Sequence, residues 1–348
     1  MDRRQFAFSL AAGALTVGAS AQRPRKLRVG AMAVGEYTFW GIWADILSPK
    51  GKLGGGLLDM EITHCWDVNP KLAAEFGAKF GCTAVTRYDG MLGKVDAIAF
   101  GGIYETPWQH LLARPYVDAR VPTYLSRPFA YRLRDLDSIL DLAAKRGTPL
   151  MATSVQEHYS QASFLRERIK RVGIIKAVHA TSWSNEYPGH FHAQWFLPKA
   201  LGFDVEKVAL ITDDERNATY MQESMLFRGR DGQPPFVAAI TAATEHHYLS
   251  VNVIGDKGTE SVTVDRSPDA RETLYAYFAP QLFDMQRTFQ GENYQPFETI
   301  RKKTKTFLAG YYSHLERGGQ LVGVDSVPAD WSPRYLKPDW IDSSIFSR

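Results

Sequence analysis

Three groups of residues have the types and spacing to do chemistry. The first is Val29-Gly30-Ala31-Met32-Ala33-Val34-Gly35, which closes an apolar run. A turn that cradles a dinucleotide pyrophosphate follows G-x-G-x-x-G. Its first glycine makes the turn, its second lets backbone approach phosphate, and its third packs helix on strand. Gly30 and Gly35 take the outer places and Met32 the middle one, so a side chain stands where phosphate should meet backbone; Ala33 belongs to the same turn. The helix beyond would still offer amides and a dipole. A plain strand–turn–helix that binds no nucleotide is the alternative. Asp67 follows the second apolar run, Met60 to Trp66. A carboxylate there accepts hydrogen bonds from a ribose 2′-OH and repels a 2′-phosphate, which favours NAD over NADP. It can equally close an Asx turn before Asn69-Pro70.

The second group is His190-Phe191-His192, after Tyr187-Pro188-Gly189. An imidazole titrates near neutrality and could take the proton of an alcohol as hydride leaves. His192 is the foremost acid/base candidate, with His190 beside it. The third group is more scattered. His110 could line a cofactor cleft or cap a helix. Tyr104, Trp108, Trp183, Tyr187 and Trp195 offer aromatic faces that suit sugar rings, and Glu157 adds an acid to that pocket; ordinary packing is the alternative for each. Metal-ligand types also occur, at His64-Cys65-Trp66-Asp67, Glu157-His158, His190/His192 and Glu245-His246-His247. No H-E-x-x-H or paired C-x-x-C is present, and no metal is predicted. G-x-x-x-x-G-K-[ST] and G-x-S-x-G are absent too, which weighs against a P-loop NTPase and an α/β-hydrolase.

The elements that must position these residues alternate in the first half. Strands are expected at Lys26 to Ala33, Met60 to Trp66, Val95 to Phe100, Val121 to Leu125 and Pro149 to Thr153. Helices are expected at Trp40 to Leu47, Pro70 to Phe80, Trp108 to Ala119 and Leu133 to Arg146. This alternation predicts an α/β fold with a Rossmann-like parallel sheet over residues 22–154. A helix from Gln161 to Val172 then gives way to six strand-like runs between Ile174 and Val264 and a helix from Phe297 to Arg317. That pattern predicts a mostly antiparallel sheet in a second α+β domain, residues 155–348. The chain has 348 residues, 45% hydrophobic and 23% charged, with a net charge of +3. This balance suits a globular protein and gives no reason to expect nucleic acid. The basic run Arg301-Lys302-Lys303 with Lys305 reads as a solvated helix face. The two cysteines, Cys65 and Cys82, exclude a disulfide framework. Arg3-Arg4-Gln5-Phe6, an apolar stretch and Ala19-Ser20-Ala21 read as a twin-arginine export signal over residues 1–21, with a periplasmic or exported mature protein and no other membrane segment.

In order and spacing, five places resemble the Gfo/Idh/MocA oxidoreductases. They are Val29 to Gly35, Asp67-Val68-Asn69-Pro70, Ser126-Arg127-Pro128-Phe129-Ala130, the stretch from His192 to Leu201-Gly202, and Ser313 to Gly319. The resemblance implies NAD or NADP and a sugar, cyclitol or derivative as substrate. It makes His192 catalytic and puts Arg127 where the family has the lysine of Glu-Lys-Pro. Arginine stays charged and cannot act as a base, though it can bind a hydroxyl, carboxylate or phosphate. The family's orienting acids are replaced by Pro188 and Trp195. Relatives pair through the open face of the second sheet, so a homo-oligomer is implied as well. A non-redox carbohydrate enzyme, NAD-using or metal-assisted, and a binding protein that has lost catalysis are the alternatives on this scaffold.

Overall fold

Apolar runs with turn residues at their ends become the strands of two sheets in the computed structural model. It describes residues 25–35, 38–102, 106–183, 191–213, 220–244, 248–265, 271–292 and 295–333. The proposed signal, Tyr104, Tyr187, His190, Glu245, His246 and His247 lie outside the described residues.

The first sheet comprises β1 (Leu27–Met32), β2 (Met60–Trp66), β3 (Thr83–Ala84), β4 (Ala97–Phe100), β5 (Thr123–Leu125) and β6 (Leu150–Ala152). Its helices are α1 (Trp40–Leu47), α2 (Pro70–Phe80), α3 (Gln109–Asp118) and α4 (Leu133–Arg146). All pairs are parallel, in the order β3-β2-β1-β4-β5-β6. Every residue of β4, β5 and β6 is buried, as a sheet covered on both faces requires. Side chains alternate between two cores. Val29, Ala31, Ala97 and Ala99 pack with Trp43, Ala44 and Leu47 on one face. Met32, Ile98 and Phe100 pack with Leu112, Leu136 and Leu140 on the other. Local signals end the helices: the Asn69 side chain caps α2 ahead of Pro70, and α4 stops at Gly147 in the left-handed conformation. Strand order reverses between β1 and β4, which is where folds of this kind place a ligand crevice.

The second sheet comprises β7 (Ile175–Trp183), β8 (Val205–Thr212), β9 (Met221–Phe227), β10 (Phe236–Thr244), β11 (Tyr248–Gly255), β12 (Thr259–Asp265) and β13 (Val322–Gly323). Helices α5 (Ser160–Arg168), α6 (Phe191–Leu201), α7 (Arg271–Phe289) and α8 (Phe297–Arg317) accompany it. Its order is β12-β11-β7-β10-β9-β8-β13, antiparallel throughout except for β7 beside β10. The α/β class and the division into a parallel and a mostly antiparallel sheet are as expected. Two details differ. The helix expected from Gln161 to Val172 tightens into a 3-10 turn after Arg168. Helix α7, with Pro280 in its interior, was not among the expected elements. Its buried stripe, Phe278, Leu282, Met285 and Phe289, nevertheless has helical spacing. Among the described residues, no helix is long and apolar enough to cross a membrane.

Candidate functional site

The turn after β1 starts three residues later than its glycines suggest. Gly30 lies inside the strand, opposite His64 and Ile98, and a β-carbon there would come 2.9 Å from Met91 Sδ. It serves packing, not a turn. Met32 is still strand, and its side chain is buried with Trp66, Met91 and Phe100. The expectation that Met32 obstructs a phosphate is therefore corrected: it points into the core. The turn begins at Ala33, whose φ of 54° is left-handed and would cost glycine nothing. Tight turn, close approach and helix packing then fall to Ala33, Gly35 and Thr38. An alanine at the first place concealed the register.

Gly35 is needed where it stands. Its N–H donates to Asp67 Oδ2 at 2.8 Å, and a β-carbon would lie 3.0 Å from that oxygen. Asp67 Oδ1 accepts the Asn69 N–H at 2.8 Å, so the Asx turn is present. Asp67 is 7% exposed. Burial raises its pKa, and the amides of Asn69, Gly35 and Val34 oppose that rise. The carboxylate thus ties the end of β2 to the turn after β1.

Beyond the turn, a strap crosses the ends of β1 and β4. Thr38 bridges Gly102, and the Phe39 N–H donates to the Gly101 carbonyl at 2.9 Å. Trp40 Nε1 donates to the Met32 carbonyl at 2.8 Å. The indole lies so close to Gly101 that a β-carbon there would come 2.5 Å from Trp40 Cδ1. The Phe39 ring is held from two sides, by the Arg127 guanidinium 3.5 Å above its centre and by Phe278 of α7 at 4.9 Å. The strap stands at the point of strand reversal. The Asp67 carboxylate at the end of β2 is of the type that accepts a ribose hydroxyl, while Phe39 and Trp40 are bonded across the ends of β4 and β1.

After β5 the chain turns through a cis Arg127–Pro128 peptide. Gln109, at the start of α3, fixes this turn by accepting the Ser126 N–H at 2.9 Å and donating to the Ser126 carbonyl at 3.1 Å. Arg127 is 6% exposed and donates from Nη1 to Ser126 Oγ at 2.9 Å. Phe129 stacks on Trp195 of α6, with ring centres 4.9 Å apart and planes 7° from parallel. His192 lies one helical turn before Trp195 on the same face and is buried. The structure thereby brings Phe129, two residues after Arg127, against Trp195 of the helix that carries His192.

A residue that sequence reasoning missed completes this wall. Lys303 was expected on a solvated face, yet it is buried. Its Nζ donates to both oxygens of Glu157 at 2.9 Å and to the Ala152 carbonyl at 3.0 Å. It also lies 5.2 Å from the Phe129 ring centre and 6.0 Å from that of Trp195. Burial lowers its pKa and the Glu157 carboxylate opposes this. The signal was available: Lys303 falls in the stripe Ile300, Thr304, Phe307, Tyr311. Its neighbours Arg301 and Lys302 are at the surface, with Arg301 paired to Asp137 and Asp141 and Lys302 to Asp204. Glu157 is therefore the ion-pair partner of Lys303. It also accepts the Ser154 N–H at 2.8 Å to cap its own turn. His158 Nδ1 lies 2.8 Å from Asp284 Oδ2. His110 faces Asp135 at the start of α4, 3.7 Å away, with its pKa lowered by burial. Among the described residues, no three His, Cys, Asp or Glu side chains gather as a metal site.

Fold and site together define a two-sheet α/β protein whose parallel sheet reverses its strand order between β1 and β4. No family model and no curated protein matches the sequence. Solved structures do match in fold. Scyllo-inositol dehydrogenase from Lactobacillus casei, with bound NAD(H) and scyllo-inositol, is 12% identical; the match covers 86% of this chain and all of that one, with a TM-score of 0.68. Myo-inositol dehydrogenase from the same organism, in complex with NAD(H) and myo-inositol, is 12% identical over 89% of this chain and 99% of its own, with a TM-score of 0.68. GenD2 from gentamicin A biosynthesis, in complex with NAD, is 14% identical over 89% and 99%, with a TM-score of 0.69.

Proposed function

We propose that this chain is a nicotinamide-dinucleotide-linked oxidoreductase acting on a polyol, a sugar or a close derivative. One observation carries the reading. The Phe129–Trp195 stack draws α6, and with it His192, to the carboxyl end of β5 beside the crevice. The dinucleotide, when bound, takes or gives the hydride. The remaining tasks fall to the chain. Asp67 has lone pairs beyond those used by Gly35 and Asn69, and they receive a ribose hydroxyl; its charge favours NAD over NADP. Arg127 holds a substrate oxygen through a guanidinium that never deprotonates. His192 takes the hydroxyl proton as the alcohol becomes a carbonyl, and returns it in the reverse direction. The bound inositols of the two Lactobacillus casei enzymes support the substrate class.

The strap favours a second reading. With Phe39 and Trp40 across β4, the same walls would serve a non-redox carbohydrate enzyme that never opens the crevice. Titration with NAD, NADH and NADPH, followed by a panel of inositols and aldoses read as reduced nicotinamide, separates the two. Saturable binding with NAD preferred and turnover lost in His192→Ala supports the redox reading; no affinity for any nucleotide sinks it. Arg3-Arg4 and the apolar stretch behind it further support twin-arginine export. Fractionation should find the mature chain outside the cytoplasm, and an Arg3→Lys/Arg4→Lys variant should retain it inside.

A further inference from the structure

Among the described residues, Glu223 is the most deeply buried acid not yet accounted for, at 2% exposure. It sits in mid-strand on β9, with Leu210 of β8 and Ile240 of β10 as its neighbours across the sheet. Helix α8 passes directly over it: a β-carbon on Gly310 would lie 3.0 Å from Glu223 Oε1. Its partner is Gln194 of α6, whose Nε2 donates to Glu223 Oε1 at 2.6 Å and to the Thr306 carbonyl at 3.3 Å. Two atoms remain. Among the described residues, neither Glu223 Oε2 nor Gln194 Oε1 has a hydrogen-bond partner. Two buried acceptors cannot satisfy one another, and a buried carboxylate without a cation is costlier still. A single proton on Oε2 resolves both, because the acid can then donate to the amide oxygen while accepting from the amide nitrogen.

We infer that Glu223 is a neutral acid which, with Gln194, forms a pair closed by two hydrogen bonds, and that this pair pins α6 and its His192 against the second sheet. Glu223 is thus a positioning residue. On α8, Lys303 is engaged by Glu157, Arg301 by Asp137 and Asp141, Lys302 by Asp204 and Lys305 by Asp325, and the influences on the Glu223 carboxyl are burial and the Gln194 bond. The flanking strands present leucine and isoleucine. In keeping with that setting, burial pushes the Glu223 carboxyl up to about 8, against the lowering effect of the Gln194 bond.

The sign of the pH effect follows from linkage. The unfolded chain ionises Glu223 near its ordinary value of 4.5, while the fold withholds ionisation until about 8. The stability due to this group is complete below the lower value, falls as pH rises between the two, and is lost by the upper one. Glu223→Gln keeps both hydrogen bonds at every pH, amide to amide. In urea unfolding, the ratio of the variant's folding constant to that of the wild type should rise about tenfold per pH unit through this window and then level off. A ratio independent of pH, or a variant weakened equally throughout, would overturn the neutral pair. The wild type alone supplies a second test: isotope-edited infrared should show a protonated carboxyl at neutral pH that disappears above about pH 8 and is missing from Glu223→Gln. Absence of that band overturns the inference even if the variant fails to fold. The pinning of α6 is read by amide hydrogen exchange at matched pH. Above about 8, α6 should exchange several-fold faster in the wild type than in Glu223→Gln, and equal rates would remove the positioning role. His192 matters here only through the proton transfer proposed above. None of these measurements needs turnover, so a failed oxidoreductase assay leaves them intact.

Discussion

The strap after β1 and the packing of α6 and α8 are held by different forces. The strap, Thr38 to Trp40, rests on the Phe39 and Trp40 hydrogen bonds, ring packing and the face of one cation, Arg127. The packing of α6 and α8 rests on ionisable groups taken out of water: Lys303 with Glu157, whose side chains are each 9% exposed, and Glu223 with Gln194. A hydrogen bond of the first kind contributes about 0.5–1.5 kcal/mol, whereas stranding one partner of a buried ion pair costs about 3–5 kcal/mol. Losing one strap hydrogen bond should therefore cost less than stranding Lys303 or Glu157.

The sharpest way to break this contrast is Lys303→Met. It leaves Glu157 buried without its cation and should cost about 3–5 kcal/mol in urea unfolding. Adding Glu157→Gln should recover much of the loss, since the pair is then replaced by neutral groups. A loss below about 1 kcal/mol would mean that the packing of α6 and α8 is held no more firmly than the strap. Arg127→Met should cost less, about 0.5–2 kcal/mol for the lost cation–ring contact with Phe39. It should also speed proteolysis near residue 38, whereas a strap unaffected by this change would be held by its hydrogen bonds and Phe278 without help from the cation. Trp40→Phe removes the indole N–H bond to the Met32 carbonyl and part of the ring, at about 1–2 kcal/mol. The smallest effect is a gain. Ala33→Gly relieves a left-handed alanine and should stabilise by about 0.5–1 kcal/mol in thermal unfolding. A loss there would place the strain elsewhere in the turn.

Much of the fold was legible because its signals are local. Helices α1, α2, α4 and α8 have the bounds expected from periodicity and caps, and Asn69-Pro70 with Gly81 marks both ends of α2. The site was less legible, because its determinants are relations between distant residues. The spacing of Gly30 and Gly35 imitates a fingerprint, yet only strand pairing shows that Gly30 lies inside β1. Phe39 and Trp40 look like the apolar start of a helix; that they cross β4 depends on the bare backbone of Gly101 and Gly102, which lie some sixty residues away. Charge hid Lys303 inside a basic run, although its place in the α8 stripe marked it as inward. Glu223 alternates correctly with its buried neighbours Met221 and Met225, but an acid at such a position reads as an exception until its partner is known.

Nucleotide binding to the wild type and to Trp40→Phe, compared by calorimetric titration with NADH, tests the central claim most directly. If the crevice takes a dinucleotide by lifting the strap, both proteins bind one equivalent. The variant, relieved of the indole bond that holds the strap down, then binds about two- to tenfold more tightly. Binding that is absent from both proteins, or that is weaker in the variant, would contradict it.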